Sequence, residues 1–263
     1  MMVGTKEESC TAGIPGPSVL TGGNRFLVKI AENENEVRAA QLLRYRIFRE
    51  EQGRLKNCRI HCDRDEFDCR CAHLLVVDKN TASVLGTARL HFGKNLPPGG
   101  GFYSEQEFRF SGLTDKKSQI LEVGRSCVAP QWRNGAVVAL LWAGIAEVRR
   151  RMRFDYMLGC ASLEQTDFSL ARGIYRKMIE KKLVTSSPHG AVRRAYHLLP
   201  SPSMVLDDEK FQAVLPPLLK GYLRLGAKIC GEPAFDRKFG SIDFPVWFDF
   251  INLPEKYCRH FKV

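Results

Sequence analysis

The stretch Leu121-Glu-Val-Gly-Arg-Ser-Cys-Val-Ala-Pro-Gln-Trp-Arg-Asn-Gly-Ala136 constrains this chain more than any other part of it. Ile120 to Ala129 reads as a strand, and Pro130 ends it because proline brings no N–H to a ladder. After a short turn with Arg133 and Gly135, the apolar residues Val138, Leu141, Trp142, Ile145 and Val148 recur at helical spacing to about Arg151. A strand that runs straight into an apolar-faced helix is an α/β unit. A glycine at the helix start lets backbone N–H groups approach an anion, and the helix dipole adds attraction. Many strand–turn–helix units carry Arg and Gly without a phosphate ligand, so this unit speaks for the fold class before any function.

The rest of the chain extends the same pattern. Residues 1–24 are rich in Gly, Pro, Ser and Thr and read as a flexible tail. Phe26 to Ile30 reads as a first strand. Asn and Glu residues at 33–36 cap a helix from Val37 to about Gln52, with Arg44 and Phe48 four apart on a second face. His73–Asp78 and Val84–Leu90 form a hairpin around a polar turn, and a Gly/Pro loop follows at 96–101. Tyr156–Ser162 is a strand and Phe168–Lys182 a helix. The last third holds shorter elements, including a helix near Pro216–Leu225 and a strand at Ala227–Cys230. The expectation is a mixed α/β fold, a central mixed sheet flanked by helices, in one domain over residues 25–263.

Glu122 and Arg125 sharpen the central strand. Strict alternation puts positions three apart on opposite faces. A bulge at Gly124 would bring both to one side and splay the strand from its neighbour, leaving N–H groups for a thioester oxygen and room for a pantetheine arm. The plain alternative is a surface Glu and Arg on an edge strand.

Charge narrows the partners only in part. Forty Lys+Arg against 29 Asp+Glu give a net charge of +11, which attracts nucleic acid, anionic headgroups or an acidic protein alike. Lys6, Glu7 and Glu8 near the start do not read as a secretory signal, and Gly135–Ala146, the longest uncharged apolar stretch, is too short to span a bilayer. The expected location is cytoplasmic, with peripheral contact at an anionic inner-membrane surface left open. Nine cysteines, an odd number in a chain of this size, read as free thiols.

Four ordered runs resemble the acyl-homoserine-lactone synthases: Leu43-Arg-Tyr-Arg-Ile-Phe48, Asp65-Glu-Phe-Asp68, Gly86-Thr-Ala-Arg89 and Glu122-Val-Gly-Arg125. Arg54 stands where those synthases carry Trp, which counts against their activity. More closely, the chain resembles the acyltransferases of ornithine lipid synthesis, members of the GNAT superfamily. Gly101-Phe-Tyr-Ser-Glu-Gln-Glu-Phe108, Leu121 to Val128, Leu158-Gly-Cys-Ala-Ser162 and Leu215-Pro-Pro-Leu-Leu-Lys-Gly-Tyr222 carry that likeness, which continues through Gly226 to Asp236. Ala72 departs from it, standing where an acidic residue is expected.

The resemblance implies a GNAT-type fold and transfer of a (3-hydroxy)acyl group from acyl carrier protein to the α-amine of L-ornithine. It gives Glu122 the role of base and puts Arg125 beside it, with Arg44, Phe48, Asp65, Asp68 and Arg89 bracing or lining the site. Val128, Arg133, Gly135 and Ala136 would hold pantetheine. No separate cofactor follows, because 4′-phosphopantetheine enters on the carrier protein. Nucleic acid is not an expected partner of such an enzyme. Arg149–Arg153 and the Lys/Arg-rich 172–182 are either solvated helix faces or docking sites for the acidic carrier. Cys58, His61, Cys62, Cys69, Cys71 and His73 hold enough soft donors for zinc but lack knuckle spacing, so no metal is expected. Cys127 and Cys160 sit in apolar strands and read as structural thiols. Two other readings remain: acylation of glycine, another amino acid or homoserine lactone, and a non-catalytic basic protein binding lipid or nucleic acid.

Overall fold

The computed structural model describes residues 13–51, 53, 61–163 and 166–252. Among these the strands are β1 (Val19–Gly22), β2 (Phe26–Ile30), β3 (Ala72–Asp78), β4 (Val84–Phe92), β5 (Phe108–Ser111), β6 (Ile120–Val128), β7 (Tyr156–Leu163), β8 (His189–Val192), β9 (Lys228–Ile229), β10 (Ala234–Asp236) and β11 (Ser241–Asp249). The α-helices are α1 (Glu34–Tyr45), α2 (Ala136–Met152), α3 (Phe168–Glu180), α4 (Asp208–Val214) and α5 (Pro217–Arg224). This is the α/β class expected. Where the sequence suggested one domain over 25–263, the backbone groups into two compact units. The first holds the residues up to His91 and Val123–Arg153; the second holds Phe92–Glu122 and the residues from Phe154 onward.

In the first unit the strand order is β1-β2-β3-β4-β6, and β1 to β4 are antiparallel neighbours. β1 corrects the flexible tail drawn over residues 1–24. Val19, Thr21 and Gly22 pair with β2, and the Arg151 guanidinium donates to the carbonyls of Pro15, Pro17 and Val19. Residues 1–12 lie outside the described ones. β3 is buried almost throughout because α1 and α2 both pack on it, which explains its near-continuous apolar run. α2 approaches closely at Gly144, where a Cβ would fall 2.8 Å from side-chain carbons of both Leu74 and Val28.

α1 starts as the sequence suggests, with the Asn33 side chain accepting the Glu36 N–H at 3.0 Å. It does not run as an α-helix toward Gln52. From Arg46 to Glu50 it widens into a π turn, with the Glu51 N–H donating to the Arg46 carbonyl at 2.9 Å. Such wide turns are rare and concentrate at functional sites.

In the second unit the strand order is β6-β7-β11-β10, with β9 also paired to β11. β11 lies antiparallel to β7 from Ile242 opposite Leu163 to Asp249 opposite Tyr156. β11 does not show in the sequence, where this region reads as short elements, because Asp243, Pro245 and Asp249 break its apolar run. β5 and β8 make a separate two-stranded sheet. The core includes Phe102, Leu113, Ile120, Tyr156, Leu158, Cys230 and Trp247, with the Tyr156 and Trp247 rings stacked at 4.9 Å. Among the described residues no helix is long and apolar enough to cross a membrane.

Candidate active site

Five of the residues singled out in the sequence meet in the first unit. Arg44 is fully buried in the last turn of α1. Its guanidinium grips Asp68 with both outer nitrogens, each at 2.9 Å, and reaches Asp63 from Nε at 3.0 Å. The backbone carbonyl of Asp63 also accepts from Arg44. Arg89, on β4, donates to Asp65 at 2.6 Å and Asp68 at 3.3 Å. Arg125, on β6, lies 3.2 Å from Asp65 and 3.3 Å from Asp63. Three arginines therefore face three aspartates, and the paired fork of Arg44 is the strongest geometry among them. Asp63 is the member that sequence reasoning missed. Its signal was its place two residues before Asp65, in the same acidic loop. Phe48, from the π turn, packs instead against Leu43, Ile47, Cys127 and Ala129.

Protonation follows from this pairing. Burial raises the Asp68 carboxyl, but Arg44's hydrogen bonds and charge outweigh it and hold Asp68 well below the usual carboxylate range. Burial works the same way on Asp65, where the charge of Arg89 wins. His73, beside Asp68 with Nε2 at 3.2 Å from its carbonyl, has an imidazole that burial pushes down to about 4. Its folded value lies below the ordinary 6.5, so the unfolded chain binds the proton first as pH falls. Stability is therefore expected to drop from about pH 6.5 to about 4, at ~1.4 kcal/mol per pH unit. Urea midpoints measured across this window should slope for the wild type and flatten in His73→Gln. Equal slopes in both would remove His73 from the acid response.

β6 does depart from regular backbone, one residue later than expected. The left-handed residue is Arg125, at φ 50°, and not Gly124. Non-glycine residues adopt this region at a cost of about 1–3 kcal/mol. The ion pairs to Asp63 and Asp65 hold the Arg125 side chain and offset that cost. Glu122, buried in the second unit, accepts the backbone N–H groups of Tyr103 at 2.7 Å and Ser104 at 2.8 Å, one on each carboxylate oxygen. It thereby fastens the turn Tyr103–Gln106, a contact the sequence did not foretell.

The start of α2 carries the other expected residues. Gly135 takes φ 96°, a region that favours glycine, and Ala136 follows as the first helical residue. The Ala136 N–H is taken by the Asn134 side chain at 3.2 Å. Arg133 donates to the Val128 carbonyl at 3.1 Å and pairs with Glu51 through both outer nitrogens, one at 2.7 Å. At the other end of the helix, Arg150 and Arg151 both bind Glu147.

Cys62, Cys69, Cys71, Cys127, Cys160 and Cys230 are free thiols. Cys58 and Arg54 lie outside the described residues. Burial pushes Cys127 up to about 12 and holds Cys160 well above the ordinary thiol value, which leaves neither poised as a thiolate. Among the described residues the one group able to hold a cation is Glu107, Asp236 and Asp243, buried with carboxylate oxygens within 4.8 Å of one another. Ala72 is fully buried on β3, where an acidic side chain would lose its solvation.

Residues 43–143 match the Acetyltransferase (GNAT) domain family. An Agrobacterium fabrum protein named L-ornithine N(alpha)-acyltransferase is 33% identical over 246 residues, covering 89% of this chain and 84% of that protein. A Brucella abortus protein of the same name is 30% identical over 279 residues, 99% of this chain and 97% of its own length. A third, from Rhizobium meliloti, is 30% identical over 268 residues, 94% and 88% of the two chains. Sharing nearly its whole length with these proteins, the chain belongs to the L-ornithine Nα-acyltransferase family of GNAT acyltransferases.

Proposed function

We propose that this protein transfers a (3-hydroxy)acyl group from acyl carrier protein to the α-amine of L-ornithine, giving lyso-ornithine lipid, the first step of ornithine lipid synthesis. The observation that carries the reading is the near full-length match to relatives named L-ornithine N(alpha)-acyltransferase, a name that gives the acceptor and its α-nitrogen. In the proposed step the free amine attacks the thioester carbonyl, a C–N bond forms, and the C–S bond breaks. The amine's proton passes through a base and ends on the departing pantetheine sulfur. Glu122 is assigned that base, directly or through water. Backbone N–H groups beside Arg125 are assigned to the developing oxyanion. Val128, Gly135 and Ala136 are assigned to the pantetheine arm, with Arg133 as their cationic neighbour. Arg44, Asp63, Asp65, Asp68 and Arg89 support this reading as a rigid charged frame that holds Arg125 in its strained conformation. The product is a lipid, and peripheral contact with an anionic membrane belongs to the same proposal.

Purified protein with 3-hydroxyacyl carrier protein and L-ornithine should yield an N-acylated ornithine by mass spectrometry, with the acyl group on the α-nitrogen. Glycine, lysine and homoserine lactone serve as competing acceptors, and preferred acylation of any of them would overturn the choice of ornithine. Raising salt should weaken carrier use mainly by slowing association, as the net charge of +11 requires for an acidic donor. Equal use of acyl-coenzyme A at all salt concentrations would point to another donor.

A further inference from the structure

Among the described residues six large apolar side chains are exposed: Val19, Ile179, Leu199, Met204, Val205 and Ile251. Four of the six gather on one face of the second unit. Ile179 lies on α3, 53% exposed, while Leu199, Met204 and Val205 are 50%, 39% and 74% exposed on the segment that lies along this helix. Two hydrogen bonds tie the segment down: Met204 N–H to the Ser169 carbonyl at 3.0 Å, and Arg172 to the Leu199 carbonyl at 3.4 Å. α3 turns Leu170, Ala171, Ile174 and Met178 inward, and its outer face carries Ile179 and Arg176, with Glu180 paired to Arg176 and Lys177.

A cavity of about 330 Å³ opens on the same face, lined by Arg172, Arg176, His197, Ser203, Ile179 and Glu232 among others. Two guanidiniums thus stand against one carboxylate. Arg172 Nε and Ser203 Oγ are both buried and have no hydrogen-bond partner in the protein. Buried donors without partners are costly, and they cost least where a ligand oxygen completes them. A phosphate offers oxygens suited to guanidinium and hydroxyl donors together. Apolar side chains around a cationic recess repeat the layering of a bilayer surface, with headgroup phosphate above and acyl chains below.

We propose that this face of α3 and residues 197–206 is the membrane-contacting surface, with the phosphate of an anionic phospholipid in the Arg172–Ser203 cavity and Ile179, Leu199 and Val205 in the apolar layer. It names where the membrane contact of the preceding proposal is made. Vesicle binding needs no turnover, so its failure leaves the acyl transfer reading untouched.

Flotation of the full-length protein with phosphatidylcholine vesicles, and with mixed phosphatidylcholine–phosphatidylglycerol vesicles, tests it. Binding is expected to the anionic vesicles only. Arg176→Ala should weaken it about fivefold, the usual effect of one basic residue at an anionic surface. Arg150→Ala is the matched control, since both arginines are exposed on a helix and paired to a nearby glutamate. It should change binding less than about twofold. Val205→Asp with Leu199→Asp should abolish flotation, with thermal unfolding unchanged because both positions are exposed. Equal weakening by the two arginine variants would reduce the effect to diffuse charge and overturn the assignment. So would full binding by the double aspartate variant, or an Arg176→Ala defect confined to soluble acyl carrier protein, which would give the patch to a protein partner.

Discussion

Replacing Arg44 with methionine should lower stability by about 3–5 kcal/mol, the cost of leaving buried charges without their partner. The estimate rests on what the guanidinium leaves behind. Asp68 would lose two hydrogen bonds of 2.9 Å and Asp63 one of 3.0 Å. Asp68 would keep Arg89 at 3.3 Å, and Asp63 would keep Arg125 at 3.3 Å. Methionine matches much of the volume, so packing contributes little to the loss. For a chain of this size the melting temperature should fall by about 10 °C. Arg44→Lys separates charge from geometry. Lysine keeps the positive charge but presents a point donor where a planar fork is needed, and an intermediate loss is expected. Urea titration of the two variants beside the wild type measures both steps. A methionine variant as stable as the wild type would show that the network does not hold the first unit together. The acid side carries the same logic. Asp65 and Asp68 have folded values below the ordinary 3.8, so their contribution is present above that pH and lost as pH falls below it.

This network shows what could be read in the sequence and what could not. Periodicity marks apolar burial, so β2, the β3–β4 hairpin and the apolar face of α2 were legible from spacing alone. A buried arginine gives no such signal. Arg44 is visible only as one member of an ordered set with Asp65, Asp68, Arg89 and Arg125, and Asp63 stays hidden because it lies in none of the runs that carry the family resemblance. The position of the strained residue in β6 followed the same rule. Glycine has the intrinsic freedom, so Gly124 was the local choice. The conformation went to Arg125 because aspartates about sixty residues earlier hold its side chain. β11 was lost for the opposite reason. Pro245 reads as a strand breaker, yet its carbonyl still accepts the Cys230 N–H at 2.9 Å while its ring is buried in the sheet.

Glu122→Gln should reduce acyl transfer by roughly 10²–10⁴-fold, the worth of a general base. The two short bonds from Tyr103 and Ser104 make a second consequence unavoidable. A glutamine amide accepts on one side and donates on the other, so one backbone N–H would face a donor. That mismatch should cost about 1–3 kcal/mol in stability. The two consequences separate the base from a mere clamp on the Tyr103–Gln106 turn. As a clamp, Glu122 would act through the order of that turn. Activity would then fall in step with stability, and the pH profile of kcat/KM would keep its shape in the glutamine variant. As the base, Glu122 owns the acidic limb of that profile, and the limb should vanish in Glu122→Gln even where the variant is fully folded. Glu122→Asp completes the comparison, since it keeps a titrating carboxylate one methylene further from both amides. It should retain a limb with reduced turnover. Rates taken well below each variant's melting temperature make the readings independent of unfolding. An unchanged limb in Glu122→Gln would move Glu122 out of the chemistry and leave it as the residue that fastens the turn.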